Sequence, residues 1–160
     1  MNHSSKIVAR KVDLKSVNNC KEIKEHIKND TTAMITEIDM SHNMISDFSM
    51  LEPFNNLQQL IIDYNYLKNL NSLPTFTKLK VLSISYNQIT DTYNVLQALT
   101  NRCPNLEHLN LMKNPCNPVF SNELFYQEFR AKFSIWLPSL KTLDGTDFKD
   151  DQGFIAKMKQ

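Results

Sequence analysis

Few residues in this chain of 160 are of types and spacings that support catalysis. Asp39 and Asp63 are predicted to face one groove, but aligned acidic residues on a surface are more typical of docking charges. With only two glycines the chain has no glycine-rich phosphate loop, and we find no nucleophile motif. The four histidines are scattered and suggest no metal site. We therefore predict a non-enzymatic protein without a cofactor.

The cysteine count and the net charge restrict the expected cellular compartment and the expected class of partner. Cys20, Cys103 and Cys116 are an odd number without a C-x-x-C pair, which favours neither a disulfide framework nor a zinc site. A reduced compartment, the cytoplasm or the nucleus, follows. A net charge of +1 gives no electrostatic case for nucleic acid as a partner. No apolar run approaches the ~20 residues of a membrane span, so membrane insertion is not expected.

One pattern, L-x-x-L-x-L-x-x-N, recurs in phase along the chain. Its four copies end at Asn43, Asn65, Asn87 and Asn114, and begin at Ile35, Leu57, Leu79 and Leu106. The asparagines are 22, 22 and 27 residues apart, within or close to the period of leucine-rich repeats. Residues 1–160 are therefore expected to form one leucine-rich repeat domain, with the repeats at 35–114.

The pattern predicts an α/β solenoid. Side chains alternate along a strand, so Leu60 and Ile62 enter the core while Gln59, Ile61 and Asp63 face outward. Stacked coils then form a curved parallel sheet of about five or six short strands on the concave face. 3₁₀ and short helices occupy the convex face, and helical caps cover both ends. We interpret the asparagines as scaffold, because their amides can pair turn backbone groups that would otherwise be buried unpaired.

Residues 1–34 are predicted to form the N-terminal cap. Val12 and Leu14 have the spacing of a strand, and residues 19–29 read as a helix with one apolar face. The first coil of a solenoid needs such a cover for its exposed core.

The third coil is five residues longer than the others. Asp91 can cap a helix over residues 92–102, with Tyr93, Leu96 and Leu99 facing inward.

A C-terminal cap is predicted over residues 115–148, followed by a tail at 149–160. Ser121 has N-cap chemistry, and an aromatic stripe follows it. Its members, spaced for one helix face and expected to cover the last coil, are Phe125, Phe129, Phe133 and Trp136. Leu140 and Leu143 then predict a final strand that closes the sheet.

The concave face is the predicted partner site, and its mixed surface favours another protein as the ligand. We call the four repeat asparagines the ladder asparagines. Tyr64 and Tyr86 directly precede two of them, Asn65 and Asn87, in consecutive coils, so the two tyrosines should be neighbours on one rim. Tyrosines are enriched at interface hot spots, although these two can instead pack only on each other. The predicted site consists of Tyr64, Tyr86, Ile61, Met112, Asp39, Asp63 and His108.

Two segments carry a family resemblance over about residues 35–148. Tyr126, Phe129-Arg130, Leu137-Pro138 and Asp144-Gly145 resemble the C-terminal cap of 22-residue leucine-rich repeat proteins. That group includes the regulatory subunit of protein phosphatase 1, the A-prime protein of the U2 spliceosomal particle and the acidic leucine-rich nuclear phosphoproteins. With Cys103-Pro104-Asn105-Leu106 and Leu109-x-Leu111-Met112-x-Asn114-x-Cys116, the chain resembles the leucine-rich melanocyte differentiation-associated protein family.

The resemblance implies a non-enzymatic cytoplasmic scaffold associated with pigment-cell differentiation. Its expected role is that of an adaptor in small-GTPase-linked trafficking of vesicles or lysosome-related organelles, with a small GTPase as one candidate partner. The alternative is a structural or regulatory subunit of a larger stable assembly of ciliary, spliceosomal or phosphatase-associated type. On its own the chain is expected to be a monomer.

Overall fold

The repeats build one sheet in which strand order follows chain order. The structure, a computed structural model, describes residues 10–13 and 32–160. Its strands are β1 (Arg10–Asp13), β2 (Ile35–Asp39), β3 (Gln59–Ile61), β4 (Val81–Ser83), β5 (His108–Asn110), β6 (Thr142–Leu143) and β7 (Thr146–Asp147). Its α-helices are α1 (Thr92–Arg102), α2 (Glu123–Trp136) and α3 (Gln152–Met158). A 3₁₀ helix at Thr32–Met34 precedes β2, and a second one at Ser49–Leu51 lies in the return segment that follows β2.

Strands β1 to β6 are parallel and in the register that the repeat predicts. Leu60 pairs with Leu82, and Leu82 with Leu109, so equivalent leucines form a continuous ladder through the core. All three are buried, because the alternation of a strand turns each of them towards the convex layer. The predicted leucine-rich repeat solenoid is therefore confirmed, including the strand at its N-terminal end. The predicted helix at 19–29 lies outside the described residues.

A seventh strand, which we did not predict, ends the sheet. β7 runs antiparallel to β6 and is joined to it by Asp144 and Gly145. Both joining residues have positive φ, 54° and 82°. A two-residue hairpin turn of this kind favours Asp-Gly, because glycine has no Cβ to strain at the second position.

The ladder asparagines bind the coils together, as predicted. Asn65 accepts a hydrogen bond from the amide of Ile45 at 2.9 Å and donates to the carbonyl of Met40 at 3.0 Å. Asn114, two coils after Asn65, makes the same two contacts with the Ile89 amide and the Ile84 carbonyl. Because these side chains are buried, each satisfies backbone groups that water cannot reach.

Helix α1 spans the predicted residues, and Asp91 caps it. The Asp91 carboxylate accepts hydrogen bonds from the amides of Tyr93 and Asn94. The inward face differs from our expectation at one position. Leu96 and Leu99 are buried, but Tyr93 is exposed. Tyr93 stands in the first turn of α1, before the helix reaches the core, and instead makes an edge contact with Trp136 on α2.

The C-terminal helix α2 buries only the middle of its predicted aromatic stripe. Phe129 and Phe133 are in the core, whereas Phe125 is 57% and Trp136 38% exposed, contrary to our expectation. A helix of this length is about 21 Å long and reaches beyond the single coil end that it covers. Its N-cap is Asn122 rather than Ser121, whose hydroxyl donates to the Pro118 carbonyl.

Residues 149–160, expected to be a tail, pack onto the cap instead. Ile155 of α3 is buried in the core cluster. Asp151 forms a buried ion pair with Arg130 of α2 at 2.8 Å. Arg130 also donates to the carbonyl of Leu143 at 2.9 Å, so one guanidinium joins α2, the β6–β7 hairpin and the start of α3. This contact network extends the cap almost to the end of the chain.

Candidate functional site

One rim of the sheet carries a row of ring side chains, which we call the tyrosine edge: His42, Tyr64 and Tyr86. Each follows the carboxyl end of a strand and has a positive φ, 57°, 56° and 53°, where the chain turns sharply out of the sheet. The Tyr64 amide donates to the Ser85 carbonyl at 3.1 Å, and the Tyr86 amide to that of Met112 at 2.9 Å. Because equivalent turns are hydrogen-bonded in register, their side chains align at one strand spacing.

The rings of the tyrosine edge stack on one another. Centroids of His42 and Tyr64 are 4.3 Å apart with planes inclined by 12°, and those of Tyr64 and Tyr86 are 4.1 Å apart at 13°. The predicted neighbourhood of the two tyrosines is therefore confirmed. Both remain 43% exposed. Stacking uses both faces of the Tyr64 ring and one face of the Tyr86 ring, so Tyr64 can offer a partner only its ring edge and hydroxyl group.

The hydroxyl groups of Tyr64 and Tyr86 interact with each other. The hydrogen bond that the Tyr64 hydroxyl makes to that of Tyr86 raises the pKa of Tyr64, with smaller contributions from desolvation and from the negative charge of Asp63. The Tyr64 phenol is thus a neutral hydrogen-bonding group at physiological pH. A partner carbonyl or carboxylate can accept from this hydroxyl pair while its apolar atoms contact the ring edges.

The three other apolar or aromatic members of the predicted site are partly buried. Ile61 belongs to β3, His108 to β5, and Met112 lies just after β5. The His108 ring is held by a contact of 2.8 Å between its Nδ1 and the Thr142 hydroxyl. These partly buried residues form a concave floor on the sheet whose rim carries the tyrosine edge.

The two acidic members serve the scaffold. Asp39 is only 5% exposed, and its carboxylate accepts from the Ser41 amide at 3.0 Å and from the Ser41 hydroxyl. Asp63 accepts from the Ser83 hydroxyl at 2.7 Å and the Ser85 amide at 2.8 Å. Our expectation that Asp39 faces solvent as a docking charge is therefore wrong. Amides that leave the sheet at these turns need acceptors, and the carboxylates supply them.

Two exposed apolar patches were not recognised from the sequence. Phe120 lies under the Lys113 ammonium at 3.8 Å, with Leu124 and Phe125 also exposed near the start of α2. At the other end of α2, a groove of about 480 Å³ is lined by Thr92, Tyr93, Leu96, Lys132, Ile135, Trp136 and Met158. The only sequence signal for either patch is large apolar residues outside the repeat phase.

The described cysteines have unreactive thiols. Burial raises the pKa of Cys103 to about 12 and that of Cys116 to about 11, so both are protonated at neutral pH. Within residues 10–13 and 32–160, no three side chains of His, Cys, Asp or Glu come together as a metal site. In the same part of the chain, no helix is both long and apolar enough to cross a membrane.

Comparisons with known proteins agree with the geometry. A family model described as "Leucine Rich repeats (2 copies)" matches residues 77–122. A search of curated protein sequences gives no significant match. Among solved structures, a chain of the Drosophila melanogaster SNF/U2A′ complex is similar, with a TM-score of 0.67 and 18% identity. The match covers 98% of this chain and 85% of that one, and at this identity it shows the fold alone. Repeat spacing, solenoid architecture and these two matches together show that the chain has the leucine-rich repeat fold.

Proposed function

We propose that this protein is a non-enzymatic interaction module that binds one protein partner across its concave face and tyrosine edge. The tyrosine edge carries the proposal. The core does not require its rings, since the ladder leucines and asparagines already complete each coil. Yet these residues have a backbone conformation that is costly for residues other than glycine, and their rings stand partly exposed. The strand that leads to Tyr64 carries the partly buried, apolar Ile61. Fixed tyrosines beside an apolar floor have the composition of an interface hot spot.

In the cell, we place this module as a cytoplasmic adaptor in small-GTPase-linked trafficking of vesicles or lysosome-related organelles. The resemblance of the third coil and the C-terminal cap to the leucine-rich melanocyte differentiation-associated proteins supports this more specific role. The isolated chain is a monomer in this proposal, and its partner is a GTPase or a protein recruited with one.

A second candidate is a subunit of a stable assembly. One observation favours it: the similar solved chain comes from a complex, that of SNF and U2A′. A pull-down with the immobilised chain, in the presence of GDP or of a non-hydrolysable GTP analogue, separates the two. Nucleotide-dependent capture supports the adaptor, and equal, salt-resistant capture in both states supports the stable subunit.

Substitution at the tyrosine edge tests the site itself. Asparagine tolerates positive φ better than most residues, so Tyr64→Asn and Tyr86→Asn remove the rings while keeping the turn. Each should weaken binding of the captured partner by ~1–3 kcal/mol. Lys68→Ala, on an exposed return segment, is the matched control and should leave binding unchanged.

Folding must be compared in parallel, because the stacked rings also contribute to stability. Each stacking pair contributes about 0.5–1.5 kcal/mol of unfolding free energy; Tyr86→Asn loses one pair and Tyr64→Asn loses two, and both variants should remain folded. If both asparagine variants bind the partner as well as the Lys68→Ala control does, the proposed site is wrong.

A further inference from the structure

The amino edge of the sheet, opposite the tyrosine edge, also carries aligned side chains. The residues that directly precede β3 to β6 are Gln58, Lys80, Glu107 and Lys141. Their backbones form one ladder: the Lys80 amide donates to Gln58 at 2.8 Å, that of Glu107 to Lys80 at 2.9 Å, and that of Lys141 to Glu107 at 2.7 Å. The four side chains are therefore held one strand spacing apart.

This row lines an open cleft of about 750 Å³, within the size range of protein ligand sites. Two of the uncharged polar side chains of its lining are committed to the scaffold. Ser139 donates to the Leu106 carbonyl at 2.8 Å, and the side-chain amide of Asn105 donates to the Thr77 carbonyl at 2.7 Å. The charged groups with spare hydrogen-bond donors are the ammonium groups of Lys78, Lys80 and Lys141, each of which has three N–H bonds.

The charge of the cleft is positive. Its lining contains three lysines and one carboxylate, that of Glu107. The carboxylate is shared: Oε2 lies 2.6 Å from the Lys141 ammonium and Oε1 lies 3.7 Å from that of Lys80. The hydrogen bond from Lys141 lowers the pKa of Glu107, so it stays ionised at neutral pH. One negative charge therefore faces three positive ones.

The carboxylate is also the more sheltered partner. The side chain of Glu107 is 24% exposed, and those of Lys80 and Lys141 are mostly exposed. Lys78 donates to the Asn56 side chain at 2.6 Å, and no carboxylate of the described residues lies within ion-pair distance of it. The field at the mouth of the cleft is thus positive, on a molecule whose net charge is only +1.

We propose that this lysine cleft, formed by Lys78, Lys80 and Lys141 around Glu107, binds an acidic segment of a protein partner. Lys80 and Lys141 lie two strand spacings apart, about 10 Å, which an extended segment spans in about three residues. The cleft lining has no aromatic ring on which a nucleotide base could stack, so carboxylates are favoured over nucleic acid. The inference rests on the proposed function only in taking the ligand to be a protein.

A fluorescein-labelled peptide of alternating Glu and Ser tests the cleft without knowledge of the native partner. Fluorescence anisotropy of the full chain at low salt should show binding of this peptide, whereas its Gln-Ser counterpart should not bind. Each of Lys78→Gln, Lys80→Gln and Lys141→Gln should weaken binding about fivefold, the value of one close ion pair in water. Glu107→Gln should strengthen binding, because it releases two lysines from their internal partner.

A charge-matched control distinguishes the cleft from general attraction. The triple variant of the cleft lysines should lose binding by about a hundredfold. The triple variant Lys68→Gln, Lys132→Gln and Lys157→Gln, with the same change in net charge, should lose little. Circular dichroism checks that both triple variants remain folded.

Three results would overturn the proposal. They are equal losses in the two triple variants, unchanged binding in Glu107→Gln, and a single-stranded oligonucleotide that binds more tightly than the peptide of equal charge. Because the tyrosine edge lies at the opposite ends of the strands, none of these results depends on whether Tyr64→Asn weakens the native partner.

Discussion

Asn87→Ala should show how strongly one ladder asparagine stabilises the solenoid. The Asn87 side chain accepts from the Leu67 amide at 2.9 Å and donates to the carbonyls of Ile62, Ile84 and Ser85 at 2.9 to 3.1 Å. It therefore joins the turn of its own coil to the strand and return segment of the preceding one. Alanine lacks the side-chain amide and makes none of these bonds.

The expected magnitude follows from the burial of the orphaned groups. An unpaired buried amide, here that of Leu67, costs about 1–3 kcal/mol, and the Ile62 carbonyl adds a smaller penalty. We expect a loss of about 2–4 kcal/mol, a large part of the ~5–15 kcal/mol that stabilises a typical domain. Lys80→Ala, which removes an exposed ion pair at 3.7 Å, should cost less than about 1 kcal/mol.

Urea denaturation followed by circular dichroism measures both variants. Asn87→Ala should lower the midpoint with little change in the m-value, because the native contact area is nearly preserved. Leu82→Ala, in the centre of the buried ladder, is the positive reference and should cost ~2–5 kcal/mol. If Asn87→Ala unfolds at the same urea concentration as Lys80→Ala, the assignment of the asparagine as scaffold is wrong.

Two further predictions concern buried polar and titratable groups. Arg130→Ala should destabilise the protein by about 3–5 kcal/mol in the same denaturation assay, because it leaves Asp151 buried without its ion-pair partner; a loss below 1 kcal/mol would contradict this. Iodoacetamide at pH 8 should alkylate Cys103 in urea but not in native protein, as followed by peptide mass spectrometry. The folded pKa of about 12 lies above the ordinary thiol value, so the contribution of Cys103 to stability is present below pH ~9 and is lost as pH rises towards 12. Cys103→Ala should reduce this alkaline loss in pH-dependent urea midpoints.

Part of the candidate site follows from local sequence and part does not. The position before each ladder asparagine is the same in every coil, so the proximity of Tyr64 and Tyr86 could be predicted. The carboxylate of Asp39 could not be placed in this way. Strand alternation assigns it to the outward face, and its hydrogen bond from the Ser41 amide is local, but its burial depends on the stacked coils around it. Side-chain direction on a strand is local, whereas burial depends on every neighbour.

By itself, the sequence determined the solenoid, its register and the helix that begins after Asp91, because strand alternation, repeat period and capping act over a few residues. Only the tertiary structure decided that both ends of the aromatic stripe on α2 are exposed, since burial depends on the area of the coil end that the helix covers. The tertiary structure also brought Lys78, Lys80 and Lys141 to one cleft, and joined Arg130 to Asp151. Residues far apart in the chain meet there because stacking of the coils places them at one edge or end.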